Sequence, residues 1–424
     1  MNEVLPAFII LIVLILLNCP IYASIMASAL YLAFFVVEQP LQAMVSVIFE
    51  GINKNSLLAI PFFVLAGNFI SGGTLGKRLI NIFRAVFDDV RGGLPIASVL
   101  SNGLFGAISG SSPAAIAVFG KIIYEPIKET ENEKMSIGIL ACVSCLAGII
   151  PPGTTMIIYA VAAEASVARQ FMAGIIPGLL MMLVVGVYLI IVSKPKKGPK
   201  TFSWKRFAKA LWEGIPILLL PVMVLGGIYS GLLTATEAGA FSAIYSFIVG
   251  IFMREVTFKN IISIILDSIK FTCQIYLIIA VSVYLSRMMT LAQVPQYAMQ
   301  LFEGASRIEF LLIVNALLLV VGCFFENVAA ILILVPILLP VAHSLGVGTI
   351  QLGMIMVLNL AIGTFTPPFG LNLFVVQGVL PGKKKTIIEL TSACIPFFFL
   401  YLFVLMIVTF VPEVSEWLPG LITG

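Results

Sequence analysis

At positions 101–113 the chain reads Ser101-Asn102-Gly103-Leu104-Phe105-Gly106-Ala107-Ile108-Ser109-Gly110-Ser111-Ser112-Pro113, inside an apolar run that reaches from Leu94 to Gly120. A helix crossing lipid has no use for such a break, because irregular backbone in hydrocarbon leaves N–H and C=O groups unpaired. It is tolerated at membrane depth only where protein or a watery cavity surrounds it. The stretch therefore reads as the polar tip of a re-entrant hairpin, about 94–120. Pro113 suits the first turn of a new half-helix, with Ser111 or Ser112 as its cap.

Composition agrees. Of 424 residues 60% are hydrophobic and 10% charged, against roughly 25% charged in soluble domains. The apolar runs are long and continuous, which excludes a β-barrel of short alternating strands. The expected fold is an all-α polytopic membrane protein. No Lys or Arg precedes the first apolar run, so the N-terminus reads as the start of a span rather than a cleaved leader. The six cysteines lie in or beside apolar runs and read as packing residues, including the C-x-x-C at Cys142 and Cys145. With one histidine, His343, zinc schemes have little to work with.

A second half repeats the plan of the first. Pro151-Pro152 and Pro367-Pro368 lie 216 positions apart, and the same offset places Gly106 on Gly322, Ser111 on Asn327 and Ala114 on Ala330. The expected domains are a first repeat (1–192), a basic linker (193–210) and a second repeat (211–424). Each has about five spanning segments and one hairpin. The second hairpin falls at about 310–340, and the broken spans at about 136–163 and 349–378. An odd number of crossings inverts the second repeat, the plan of secondary transporters. The linker region carries seven cations and no acid between Lys194 and Lys209, so it reads as cytoplasmic, which puts both termini on the periplasmic or exterior side. Gly76 to Asp89 sets apolar residues against a cationic face and reads as an amphipathic helix in contact with membrane lipid. The run 261–291 reads as an interfacial helix followed by a span.

Two tips and two broken spans are expected to meet near the bilayer midplane. Carbonyls and hydroxyls there suit Na⁺, and half-helix N-termini suit a carboxylate. The candidate Na⁺ ligands are Asn102, Ser109, Gly110, Ser111, Thr154, Gly322, Glu326, Asn327, Thr364 and Thr366. Candidate substrate contacts are Ser111, Ser112, Pro152, Thr155, Asn327 and Asn372. The competing reading is that small residues at these places simply let helices approach closely. Glu326 differs in kind, since an acid inside an apolar block is costly and functional by default. Glu237 reads instead as helix-start chemistry with Thr234 or Thr236. Gly72 to Arg78 has the first glycine misplaced for a P-loop, and Arg78 stands where Ser or Thr is required. No ATP engine, catalytic triad, metal cluster or dinucleotide fingerprint is legible, so no enzyme activity and no nucleic-acid partner is expected, and ion coupling remains as the energy source.

The segments Ile60-Pro61-Phe62-Phe63-Val64-Leu65-Ala66-Gly67, Arg91-Gly92-Gly93-Leu94, Phe105-Gly106-Ala107-Ile108-Ser109-Gly110-Ser111, Ile149-Ile150-Pro151-Pro152, Ala173-Gly174-Ile175-Ile176-Pro177-Gly178, Thr236-Glu237-Ala238 and Thr366-Pro367-Pro368 with Gly370-Leu371-Asn372 resemble the large membrane subunit of tripartite ATP-independent periplasmic (TRAP) transporters, DctM or SiaM type. The resemblance covers essentially the whole chain. It implies a small four-helix membrane subunit and a periplasmic substrate-binding protein as partners, in a bacterial inner membrane. It also implies Na⁺-driven import of an organic acid by elevator-like movement. The Ser109–Ser111 tip and the Thr366-Pro367-Pro368 turn carry over as ion and substrate positions. Two departures stand out: Pro113, Ala114 and Ala115 replace an acid common after the tip, and Gly153 replaces the usual Ser. The sequence is similar to the sialic-acid branch. A C4-dicarboxylate permease of the same family, a stand-alone Na⁺/dicarboxylate symporter and an integral-membrane enzyme are the other readings.

Overall fold

The computed structural model describes residues 3–17, 19–71, 73–195, 202–382 and 385–421, and its regular elements are helices. In the first half they are α1 (Leu5–Leu16), α2 (Ile21–Phe35), α3 (Leu41–Ile52), α4 (Ala59–Ile70), α5 (Gly73–Phe87), α6 (Gly93–Ser109), α7 (Ser112–Thr130), α8 (Glu133–Gly138), α9 (Thr154–Ala162) and α10 (Val167–Val192). The second half holds α11 (Trp204–Tyr229), α12 (Ala235–Phe252), α13 (Ile261–Leu291), α14 (Val294–Leu301), α15 (Arg307–Phe324), α16 (Asn327–Ser344), α17 (Thr349–Gly363), α18 (Leu371–Val379), α19 (Ile387–Phe410) and α20 (Glu413–Gly420). Among the described residues seven helices are long and apolar enough to cross a bilayer, and α3 and α4 form a further pair bent by 58°. Gly72 and the linker cations Lys196, Lys197 and Lys200 lie outside the described residues.

The order of elements recurs. Starts of α6 and α15 are 214 residues apart (93 and 307), of α7 and α16 215 (112 and 327), of α8 and α17 216 (133 and 349), and of α9 and α18 217 (154 and 371). Both hairpins reach beyond the sequence boundaries, to 93–130 and 307–344. Both Pro-Pro bonds are cis. The short helices α9 and α18, nine residues each, are about 13 Å long, under half the roughly 30 Å hydrocarbon thickness. Neither helix is long enough to cross by itself.

The halves are interleaved rather than side by side. α9 packs on α16 and α17 of the second half, while α18 packs on α7 and the 139–143 segment of the first. Tyr159 Oη donates to the Thr349 carbonyl at 2.6 Å, and Asn372 Nδ2 to the Ala141 carbonyl at 3.0 Å. Around this unit stand α4 against α12, α2 and α3 against α13, and α11 against α5.

Three expectations change. The run 261–291 is one continuous helix, because nothing in it breaks the backbone ladder; the bend falls instead in the first half, where Asn53 and Lys54 separate α3 from α4. The first broken span is not a plain helix up to its prolines, since α8 passes into a π segment (Ile139–Val143) and a 3₁₀ segment (Ser144–Gly148). α5 is amphipathic as read, but Leu75, Leu79, Ile80, Ile82 and Ala85 are buried in protein rather than in lipid. Gly76 sits against Val118 and Ile122 of α7, and Gly214 of α11 against Ile82. The helix-start reading of Glu237 holds: it completes a capping box with Thr234, and Ser306/Glu309 and Thr386/Glu389 repeat the device. Cys142, Cys145 and Cys394 are buried free thiols.

Outside the spans, one polar cluster ties the two halves together. The Glu133 carboxylate accepts from Tyr124 Oη at 2.6 Å and from Lys385 Nζ at 2.9 Å, with Lys128 Nζ at 3.6 Å. The Tyr124 hydrogen bond, then that of Lys385, holds the Glu133 pKa below its ordinary value. A lowered carboxylate pKa stabilises the fold above the unfolded-state value and is lost as pH falls through the folded one. The carboxylate is about one third exposed, so we expect Glu133→Gln to cost about 1 kcal/mol at neutral pH. The deficit should vanish below the ordinary carboxylate range. Thermal unfolding of both proteins at neutral and acid pH checks this; a deficit unchanged at acid pH would contradict it.

Candidate functional site

The first tip forms where α6 ends and α7 begins. Gly110 takes the left-handed conformation (φ 61°) that closes α6, its N–H donating to the Gly106 carbonyl at 2.7 Å. Ser111 is the N-cap of α7, its Oγ accepting from the Ala114 N–H at 3.4 Å. Ser112 opens the helix and Pro113 sits in its first turn. Across the tip lies the first Pro-Pro turn: Thr154 Oγ1, at the start of α9, donates to the Gly110 carbonyl at 3.2 Å. The Ser109 hydroxyl is spent locally on Ser111. The close approach depends on glycine. A methyl on Gly106 would lie 2.8 Å from Ala147 Cα, and one on Gly67 of α4 2.9 Å from Ser109 Cα.

The second tip is built differently. α15 ends at Phe324 and Glu326 is the N-cap of α16, its Oε2 accepting from the Val328 N–H at 3.1 Å. The counterpart of Ser111 is thus Glu326, not Asn327; the offset of 216 from the proline pairs slips to 215 at the tips. Asn327 is the first helical residue, and its Oδ1 is buried without a hydrogen-bond partner among the described residues. Gly322 packs backbone to backbone on Gly363. In the second broken span Thr364 Oγ1 accepts from Asn372 Nδ2 at 3.1 Å, and the Asn372 N–H donates to the Thr364 carbonyl at 2.8 Å. Asn372 Oδ1 is buried without a hydrogen-bond partner among the described residues. Thr366 Oγ1 returns to the Ile362 carbonyl at 2.7 Å.

Each tip therefore meets the turn of its own half. Ser109, Gly110, Ser111, Thr154 and Pro152 gather at the first, and Gly322, Thr364 and Asn372 belong to the second, where the Phe324 and Phe369 rings stack edge-on at 5.7 Å. Asn102 lies two turns deep in α6, bonded to Ser144 of the 3₁₀ segment at 3.0 Å. It is part of the hairpin–span seam rather than of the tip. Thr155 is buried against Gly148. The turns differ in exposure: Pro151 and Pro152 are buried, whereas Pro367, Pro368 and Phe369 are exposed. Pro152 shares a small cavity with Ala107 and Ile108 of the hairpin, Phe63 of α4, Pro221 of α11 and Ser242 of α12, so surrounding helices cover the first turn.

The sequence reading missed Ser144 and the buried pair Asn315–Asn359, bonded at 2.7 Å between α15 and α17 in the place that Asn102–Ser144 holds in the first half. Asparagines inside apolar runs were the available signal. For the glycine contact we expect Gly363→Ala to cost about 1–3 kcal/mol by overpacking, because its methyl would overlap the Gly322 backbone. Gly378→Ala, with open space around it, should be neutral or stabilising. Thermal unfolding of the two variants decides; equal stabilities would show that the contact can relax.

The family model described as "Tripartite ATP-independent periplasmic transporter, DctM component" matches residues 8–414. A C4-dicarboxylate TRAP transporter large permease protein DctM of Pseudomonas aeruginosa is 42% identical over 88% of this chain and 88% of its own length. Its namesake from Vibrio cholerae is 36% identical over 98% and 97%. The sialic acid TRAP transporter large permease protein SiaM of Vibrio cholerae is 32% identical over 88% of each. In fold the chain is similar to the Alcanivorax borkumensis YdaH transporter, whose crystal structure has an unusual topology, with TM-score 0.60 at 14% identity over 89% of this chain and 88% of that one. Hairpins, broken crossings and a match along nearly the whole length place this multi-pass membrane protein in the DctM family of TRAP transporter large permeases.

Proposed function

We propose that this chain is the membrane-spanning core of a Na⁺-coupled importer of a small organic anion. It works with a small membrane subunit and a periplasmic binding protein in a bacterial inner membrane, with both of its termini periplasmic. The two halves act as inverted repeats, and the hairpins with their broken crossings move as one body against the surrounding helices. What supports a cation role is that two of the five side-chain amide oxygens buried without a partner among the described residues are candidate ligands, Asn327 Oδ1 at the second tip and Asn372 Oδ1 beside Thr364. Buried acceptors of this kind are costly unless a donor or ion satisfies them, and oxygen donors suit Na⁺.

The tips divide the labour by charge. A helix N-terminus favours an anion, but at the second tip Glu326 already occupies that position. That helix end is therefore not free for a substrate carboxylate. The first tip is capped by the neutral Ser111 and leaves its helix end available, so the anion is assigned to Ser111 and Ser112 and the cation to the Glu326–Asn327 end.

For the substrate class, the C4-dicarboxylate relatives at 42% and 36% identity favour a C4-dicarboxylate. This replaces sialic acid as the leading reading. The SiaM relative at 32% keeps sialic acid as the second. Uptake in proteoliposomes containing both membrane subunits, with the binding protein outside, tests the proposal. Succinate should accumulate with an inward Na⁺ gradient and sialic acid should not. Ser111→Ala should lower the uptake rate about tenfold or more at limiting substrate, the effect of one lost charge-assisted hydrogen bond. Undiminished uptake without Na⁺ would sink the coupling, and uptake without the binding protein would favour a stand-alone symporter.

A further inference from the structure

A cavity of about 210 Å³ opens far from the tips, at the base of the first hairpin. Its polar wall is Lys77, Asn81 and Arg84 of α5, and its apolar wall is Ile80 of α5, Leu94 from the first turn of α6, and Ile122 and Pro126 of α7. Positions 77, 81 and 84 recur at helical spacing, so the three polar side chains stand in a row on one face. The arms of the hairpin begin and end here, which puts the cavity where the hairpin leaves the membrane.

The charge of the cavity is positive and largely unspent. Lys77 is exposed and makes no ion pair or hydrogen bond among the described residues. Arg84 uses Nε on Asp88 at 3.3 Å, leaving its two terminal nitrogens without a bond among the described residues. Asp88 is also held by Arg206 at 2.7 Å. Arg78 turns away to the Glu213 carbonyl. On α7, Lys121 is exposed next to Ile122, and Glu125 lies 3.9 Å from Lys128.

We propose that this cavity binds the phosphate of an anionic glycerophospholipid. Lys77 Nζ and the Arg84 guanidinium take the phosphate oxygens, since Lys acts as a point charge and Arg as a fork. Asn81 bonds the glycerol oxygens, and the first methylenes of an acyl chain rest on Leu94, Ile122 and Pro126. The volume equals about seven waters at roughly 30 Å³ each, which accommodates a glycerophosphate. The apolar wall distinguishes a lipid from free phosphate, because an inorganic ion gains nothing from it. A lipid seated here joins α5 to both arms of the hairpin.

Native mass spectrometry of the purified full chain, titrated with phosphatidylglycerol or phosphatidylcholine, tests the site. Wild-type protein should retain phosphatidylglycerol in preference to phosphatidylcholine. Lys77→Gln, at an exposed side chain without structural partners, should weaken that retention about fivefold, the worth of one cation near an anionic lipid. Lys259→Gln, removing an exposed cation outside the cavity, should leave it within twofold. Equal retention by wild type and Lys77→Gln, or an equal loss in Lys259→Gln, would overturn the proposal. Displacement of phosphatidylglycerol by millimolar inorganic phosphate would assign the cavity to free phosphate and overturn the lipid.

Discussion

Every interruption of a helix inside this protein must find partners for its freed backbone groups, and that requirement organises the structure. At the first tip the Gly110 N–H returns to the Gly106 carbonyl and the Gly110 carbonyl receives the Thr154 hydroxyl. At the second break the Asn372 backbone closes on Thr364, while its side-chain amide reaches across to the Ala141 carbonyl in the other half. The Thr154–Gly110 and Asn372–Ala141 bonds could not form if these segments were separated. Irregular backbone at membrane depth is stable only when protein encloses it.

Interleaving follows from the same need. Because α9 lies on α16 and α17, and α18 on α7 and the π segment, each half supplies walls for the other's break. Glycine sets the distances. Gly106 against Ala147 and Gly322 against Gly363 bring backbone to backbone, so hydroxyls and carbonyls of different segments fall within bonding reach. Glu133 with Tyr124 and Lys385 closes the same unit outside the spans.

Symmetry ends at the chemistry. Ser111 and Glu326 hold equivalent capping positions, one neutral and one acidic. The Pro151–Pro152 turn is buried, with Phe63, Pro221 and Ser242 from surrounding helices lining the cavity beside it, whereas the Pro367–Pro368 turn is exposed. The two halves thus present different electrostatics and different access.

From the sequence alone came the polytopic class and the helix breaks at Gly110 and at both Pro-Pro pairs. These are local matters: apolar run length, proline without its N–H, and glycine at a left-handed turn each act over a few residues. Only the tertiary structure decided the register of the tips, because helix ends depend on capping, and a one-residue slip between 215 and 216 leaves the apolar pattern unchanged. It also decided that 261–291 runs unbroken and that the apolar face of α5 is turned to α7 and α11. Periodicity marks a face as apolar but cannot say whether lipid or protein covers it. Nor could spacing show that Asn102 reaches Ser144 or that Asn372 reaches Ala141. Those pairs are 42 and 231 residues apart, and only the packing of one broken crossing against another brings them together.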